Sequence, residues 1–142
     1  KYYTEEIIQM KYELTPDLMT GNQLVDREHK ELLEAVNRLM DACSEGKGRE
    51  KSAEVFRYLL SYVDKHFADE ERLQMQAKYP GYAAHKNFHE SYKKNLRDIE
   101  KTLVAEGPTI AMLSALNRQV GILVTHIRWD DKKMAEYVRA HT

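Results

Sequence analysis

Apolar residues in this chain recur at three- and four-residue intervals through four long stretches, and few alternating β-branched runs occur, so the pattern predicts helices and no sheet. The first predicted helix starts near "TGNQ", where Thr20 or Asn22 can cap it. Leu24, Val25, Leu32, Leu33, Val36, Leu39 and Met40 share one face until "SEGKGRE" ends it. The second runs from about Glu50 to Ala77, with Val55, Phe56, Leu59, Leu60, Val63, Phe67 and Leu73 inward, and "KYPGY" turns it. The third covers about Tyr82 to Ala105 on Phe88, Tyr92, Leu96, Ile99 and Leu103. "EGPT" then supplies a glycine stop and a proline suited to a first helical turn, and the fourth helix follows from about Thr109 to Arg139.

Short loops between long helices make neighbours antiparallel, so residues 20–142 are expected to be all-α, an up-down-up-down antiparallel four-helix bundle. Residues 1–19 read as an N-terminal arm or linker. "TEEIIQMKY" suits a short helix capped by Thr4, and "ELTPDLMTGN" an extended stretch that covers apolar bundle surface.

Composition narrows the picture. At 142 residues the chain is about one domain, long enough to bury a core without disulfides or a structural metal. A metal in it would therefore serve function before folding. A net charge of -1 with 32% charged residues gives no basic footprint for nucleic acid. The purely apolar runs, such as "VGILV", fall far short of the roughly 18 residues that span a bilayer, so no membrane contact is expected, and no signal-peptide pattern opens the chain. The expected location is cytoplasmic. A lone Cys43 excludes an internal disulfide and reads as a small apolar residue. The chain opens at Lys1, which fits a domain of a larger protein.

The histidines change the picture most. Residues four apart on a helix point about 40° from one another. His66 and Glu70 form one such pair, and His85 and His89 another. Height along the bundle follows from distance to the loops, at about 1.5 Å per residue. Glu70 and His89 each stand about 10 Å from the "KYPGY" end. His29 and His66 both stand about 21 to 24 Å from the opposite end, and His89 and His126 match across "EGPT". Five histidines from four helices thus converge on one layer. Their lone pairs need acceptors of their own, which a metal provides.

Five imidazoles, Glu70 and an Asp near His126 exceed the four ligands of one zinc, and no H-E-x-x-H motif is present. The set suits two near-octahedral ions bridged by carboxylates, and imidazole with carboxylate favours iron or manganese. Ferritin-like sites instead need Glu-x-x-His pairs facing inward, which are missing here. For the second carboxylate, spacing alone prefers Asp130. Asp130 lies four residues after His126 and is in phase with it, whereas Asp131 lies about 140° round and would need a local widening of the helix.

With "VDREHKEL", "HFADE", "HKNFH" and "HIRWDDKK" on successive helices, residues 20 to 138 resemble the bacterial hemerythrins. The resemblance implies that His85, His89 and His126 hold one iron and His29 and His66 the other. It also implies that Glu70 and Asp131 bridge the two iron ions beside an oxo or hydroxo group; here it selects Asp131 over Asp130. A vacancy on the iron with two histidines would take dioxygen. Leu32, Phe67, Leu123 and Ile127 are the expected walls of a dry oxygen pocket.

The function this implies is reversible dioxygen binding at a non-heme di-iron centre, for oxygen transport, scavenging or sensing, rather than an enzyme. The alternatives are a di-iron enzyme acting on peroxide or nitric oxide, and an oxygen- or redox-sensing module of a larger signalling protein. Trp129 and His141 are given no part in the site. Asp26, three residues before His29, is read either as a group orienting a ligand or as a surface helix-start residue.

Overall fold

The computed structural model describes residues 11–142 of the chain. The expected short helix capped by Thr4 falls outside the described residues, apart from Lys11 and Tyr12, which are not helical. The described part begins with a non-helical arm interrupted by a 3-10 turn at Pro16–Leu18. Then come α1 (Gln23–Ser44), α2 (Gly48–Ala77), α3 (Tyr82–Glu106) and α4 (Ile110–His126), a π-helical turn (Ile127–Asp131), and α5 (Lys132–Ala140). The segments α4, π turn and α5 run on as one rod. The molecule is therefore an all-α four-helix bundle, with no strand among the described residues.

The helix ends follow from local chemistry. Asn22 caps α1 by accepting from the Val25 amide at 3.0 Å, and Thr109 caps α4 by accepting from Met112 at 3.1 Å, each satisfying an amide the first turn leaves free. At the other end of α2, Lys78 adopts a left-handed conformation (φ 56°), and its amide reaches back to the carbonyls of Gln74 and Met75. Gly81 then leaves room for the Tyr79 ring, which would lie 2.8 Å from an added Cβ.

Around these ends α1 packs on α2, α2 on α3, and α3 on α4, while α5 returns to α2. The arm is fastened to α1. Asn37 exchanges two hydrogen bonds with the backbone of Tyr12, at 3.0 and 2.9 Å, and Leu18 enters the core. The fourth rod, Ile110–Ala140, is long and apolar enough by length and composition to cross a membrane, although its uninterrupted apolar runs are short. In the bundle its inward face is engaged with the core and also carries His126 and Asp131.

The core comes in two pieces. The larger contains Leu32, Leu33 and Leu39 of α1, Phe56, Val63 and Phe67 of α2, Leu96 of α3, and Leu123 with Ile127 of the fourth rod. The smaller gathers Val25, Ala77, Met134 and Val138 at the Pro80–Gly81 end. Along three rods buried polar residues separate the two pieces: Asp26, Glu28 and His29 on α1, Glu70, Glu71 and Gln74 on α2, and Asp131 on the fourth. Leu24, expected on the inner face, is only half-buried.

Candidate metal centre

Seven polar side chains occupy that dividing layer. His29, His66, Glu70 and His89 are fully buried, Asp131 and His126 nearly so, and His85 is 5% exposed. Their donor atoms fall into two groups: His85, His89, His126 with Asp131, and His29, His66, Glu70 with Asp131, each group within 4.8 Å of itself. Either could hold a metal.

The carboxylates tie the groups together. Glu70 turns Oε1 toward His85 and His89, at 3.3 and 3.2 Å, and Oε2 toward His29 and His66, at 3.2 and 2.9 Å. Asp131 does the same, with Oδ1 at 2.9 Å from His85 and 3.1 Å from His126, and Oδ2 at 3.0 Å from His29. Each carboxylate gives one oxygen to each group.

Whether a metal suits these residues is decided by the atoms left without hydrogen bonds. His66 Nε2, His89 Nε2 and Asp131 Oδ1 are buried and unpartnered, despite neighbours near 3 Å, because those neighbours lie off the line a hydrogen bond needs. The Nε2 atoms of His85 and His126 face each other at 3.1 Å. Donors aimed at a common point look like this. With metal–donor bonds of about 2.1 Å, ligands at right angles sit about 3.0 Å apart. Imidazole and carboxylate donors together suit first-row ions such as iron.

The ring nitrogens that face away from the layer are fixed from behind. His66 Nδ1 donates to Glu28 Oε1 at 2.8 Å, His89 Nδ1 to Glu71 Oε2 at 2.8 Å, and His126 Nδ1 to Asp130 Oδ2 at 2.9 Å. A carboxylate at Nδ1 holds the tautomer whose Nε2 lone pair points inward. Glu28 and Glu71 escape a sequence reading: each adjoins an expected ligand in sequence yet serves a ring on a different helix. The remaining signal is the lysine that each recruits, Lys65 beside His66 and Lys86 beside His85.

Without metal, burial lowers the basicity of the rings, and the carboxylates outweigh it. The charge of Glu70 and the hydrogen bonds that Glu28 and Glu70 accept from the ring raise His66 to about 10, and Asp131 and Glu70 raise His85 to about 9. Burial alone would raise Glu70, yet the charge of His66 and contacts from three rings hold it well below the usual carboxylate range.

The fourth rod shows how two consecutive aspartates come to differ. Five residues of π-helix after His126 widen the turn, so Asp131 is brought inward and buried while Asp130 stays 62% exposed on its side chain. Uniform α-helical phase would have placed Asp130 inward. Of the expected pocket walls, Phe67 stacks on His89 with ring centroids 3.7 Å apart. Leu32, Leu123 and Ile127 are buried in the larger core piece, within one turn of His29 or His126. Phe88 stacks on the outer side of His126 at 3.8 Å. Asp26 accepts from the Thr20 amide and hydroxyl, both at 2.8 Å, and from the Gly21 amide at 3.1 Å, which is a helix-start role, but a buried one and not the surface one expected. His141 is exposed and stacks on Tyr137, away from the layer.

An antiparallel four-helix bundle with a buried histidine–carboxylate layer able to hold metal is the class this geometry defines. A family model described as "Hemerythrin HHE cation binding domain" matches residues 20–138. Among curated relatives, a bacteriohemerythrin of Pseudomonas aeruginosa is 36% identical over 124 residues, 87% of this chain and 78% of the relative. One of Stenotrophomonas maltophilia is 34% identical over 126 residues, 88% and 80% of the two chains. One of Campylobacter jejuni is 29% identical over 137 residues, 95% and 93%. The chain belongs to the hemerythrin family.

Proposed function

We propose that this protein holds two iron ions in the dividing layer and binds dioxygen reversibly there. The reading rests on one observation: Glu70 and Asp131 each split their two oxygens between a group of three histidines and a group of two. A shared carboxylate pair calls for two ions, and unequal histidine counts leave the His29–His66 position one donor short.

When two ferrous ions are bound, they supply the two electrons that reversible dioxygen binding requires. The protein's part is to hold, orient and shield. Glu28, Glu71 and Asp130 keep three of the rings as inward-facing donors. Five neutral imidazoles leave the layer less anionic than a carboxylate-rich one, which favours returning dioxygen over cleaving it. Phe67, Leu32, Leu123 and Ile127 exclude water from the side of the layer that faces the larger core piece, which slows loss of the ferrous state.

Metal analysis with an anaerobic-to-air spectral titration tests the proposal. About two irons per chain are expected, with a visible band that rises when air is admitted to the ferrous protein and falls again on deoxygenation. A single metal per chain, zinc in place of iron, or steady turnover of dioxygen with no reversible band would each reject it.

A further inference from the structure

Behind the rings lies an arrangement that the binding of dioxygen does not by itself require. Glu28 is fully buried, and it uses both oxygens: Oε1 accepts from His66 Nδ1 at 2.8 Å, and Oε2 from Lys65 Nζ at 2.7 Å. Glu71 repeats the pattern, with Oε2 on His89 Nδ1 at 2.8 Å and Oε1 on Lys86 Nζ at 3.1 Å. Lys65 and Lys86 are surface residues, with side chains 60% and 46% exposed; Lys65 also pairs with Asp69 at 3.1 Å. Two Lys–Glu–His chains thus run from solvent to the layer, and they end on different metal positions: His66 in the two-histidine group, His89 in the three-histidine group.

The other rings are supported differently. His126 is backed by Asp130, whose carboxylate is 62% exposed and carries no lysine among the contacts described. His29 Nδ1 is buried with no hydrogen bond at all. Support is graded, from a desolvated carboxylate with a lysine to none.

We propose that Lys65–Glu28 and Lys86–Glu71 set the reduction potential of the metal positions, one chain to each, with the carboxylate and the lysine acting in opposite directions. A carboxylate accepting from Nδ1–H pushes electron density onto the ring and stabilises the more oxidised ion behind it. A lysine on the far oxygen draws that density back, because the ammonium competes for the carboxylate's charge. Low surrounding dielectric makes Glu28 the stronger lever, and solvent weakens Asp130. These are positioning residues that act through the rings.

The inference rests on the iron reading given under Proposed function, and the iron content of the wild-type protein tests that reading separately. The experiment measures the reduction potential of the iron-loaded centre in Glu28→Gln, Lys65→Met, Glu71→Gln, Lys86→Met and Asp130→Asn. The metal-free proteins are examined by NMR for Nδ1–H protons shielded from exchange. Glu28→Gln should raise the potential and Lys65→Met lower it, each by about tenfold in the ferrous-to-ferric ratio, or about 59 mV for one electron. Glu71→Gln and Lys86→Met should show the same opposed signs. Asp130→Asn should move it least, and Lys65→Arg should restore the wild-type value. In the metal-free protein, Glu28→Gln should shift the His66 proton and leave that of His89 in place.

Shifts of the same sign for lysine and glutamate variants, or no shift with two irons retained, would overturn the inference. So would a metal-free spectrum in which Glu28→Gln leaves the His66 proton unmoved. A wild-type protein that takes up no iron pair would overturn the reading beneath it and the potential inference with it. A merely structural role would lower stability in both members of a pair without opposing their potentials.

Discussion

Asp130 and Asp131 hold one imidazole from opposite sides. Asp130 Oδ2 stands 2.9 Å from His126 Nδ1, and Asp131 Oδ1 stands 3.1 Å from His126 Nε2. Consecutive residues achieve this only because the π turn lets the backbone gain most of a residue per turn between them. The two aspartates should therefore differ sharply on substitution. Asp131→Ala removes an oxygen from both donor groups, and iron content should fall well below two per chain. Asp130→Ala removes only the support behind one ring, and iron content should stay near two. Metal analysis after gel filtration reads both variants, and equal losses would contradict the division of roles.

Phe67 joins the layer to the larger core piece, stacked on His89 and fully buried. Phe67→Ala should destabilise the metal-free protein by about 3 to 5 kcal/mol, through lost transfer energy and an unfilled cavity. Urea denaturation of the metal-free form isolates this packing effect from any change in iron content. A loss under 1 kcal/mol would mean that the bundle collapses into the space.

Removal of metal leaves the carboxylates of Glu70 and Asp131 buried, with protonated rings as their counter-charges. His66 and His85 have folded-state values raised from 6.5 to about 10 and about 9. A raised value means the contribution is complete below about pH 6.5 and is lost as pH climbs through the folded-state values. The metal-free bundle should therefore be folded at neutral pH and lose stability between about pH 7 and 10, most steeply in the middle of that window, where both rings are still protonated in the folded state and neither is in the unfolded chain. Thermal melts across that range, run beside His66→Gln, check the sign; a metal-free protein that gains stability with pH would refute it.

Asp26 receives three hydrogen bonds from Thr20 and Gly21 at the entrance to α1 and touches none of the site rings among the contacts described. Asp26→Ala should cost about 1 to 3 kcal/mol of stability, because it strands buried donors, while leaving iron content unchanged. Paired chemical denaturation and metal analysis decide between this role and one at the metal.

The bundle was largely readable from the sequence, because "KYPGY" and "EGPT" punctuate it where the apolar period breaks and the counted heights bring Glu70, His89 and His126 to one level. Three things were not. Helical phase favours Asp130, because the count of 100° per residue assumes an unbroken α-helix, and Asp131 is reached only through the family resemblance of "HIRWDDKK". Glu28 and Glu71 look like members of an ordinary charged face, since their partners lie on neighbouring helices far along the chain. The sequence leaves Asp26 between two roles, because only the fold brings the Thr20 and Gly21 amides onto its carboxylate.

The smaller core piece, Val25, Ala77, Met134 and Val138, contains too few side chains to keep one end of a bundle closed by itself. Its order leans on the polar layer above it, where all four rods are clasped through Glu70 and Asp131. Emptying the layer should therefore loosen the molecule unevenly: backbone amides around Pro80–Gly81 and in α5 exchange with solvent sooner, while those beside Phe56 and Leu116 keep their protection. Metal held in the layer would then act as a latch on one end of the molecule, and its loss would register some distance away as a local melting of that end.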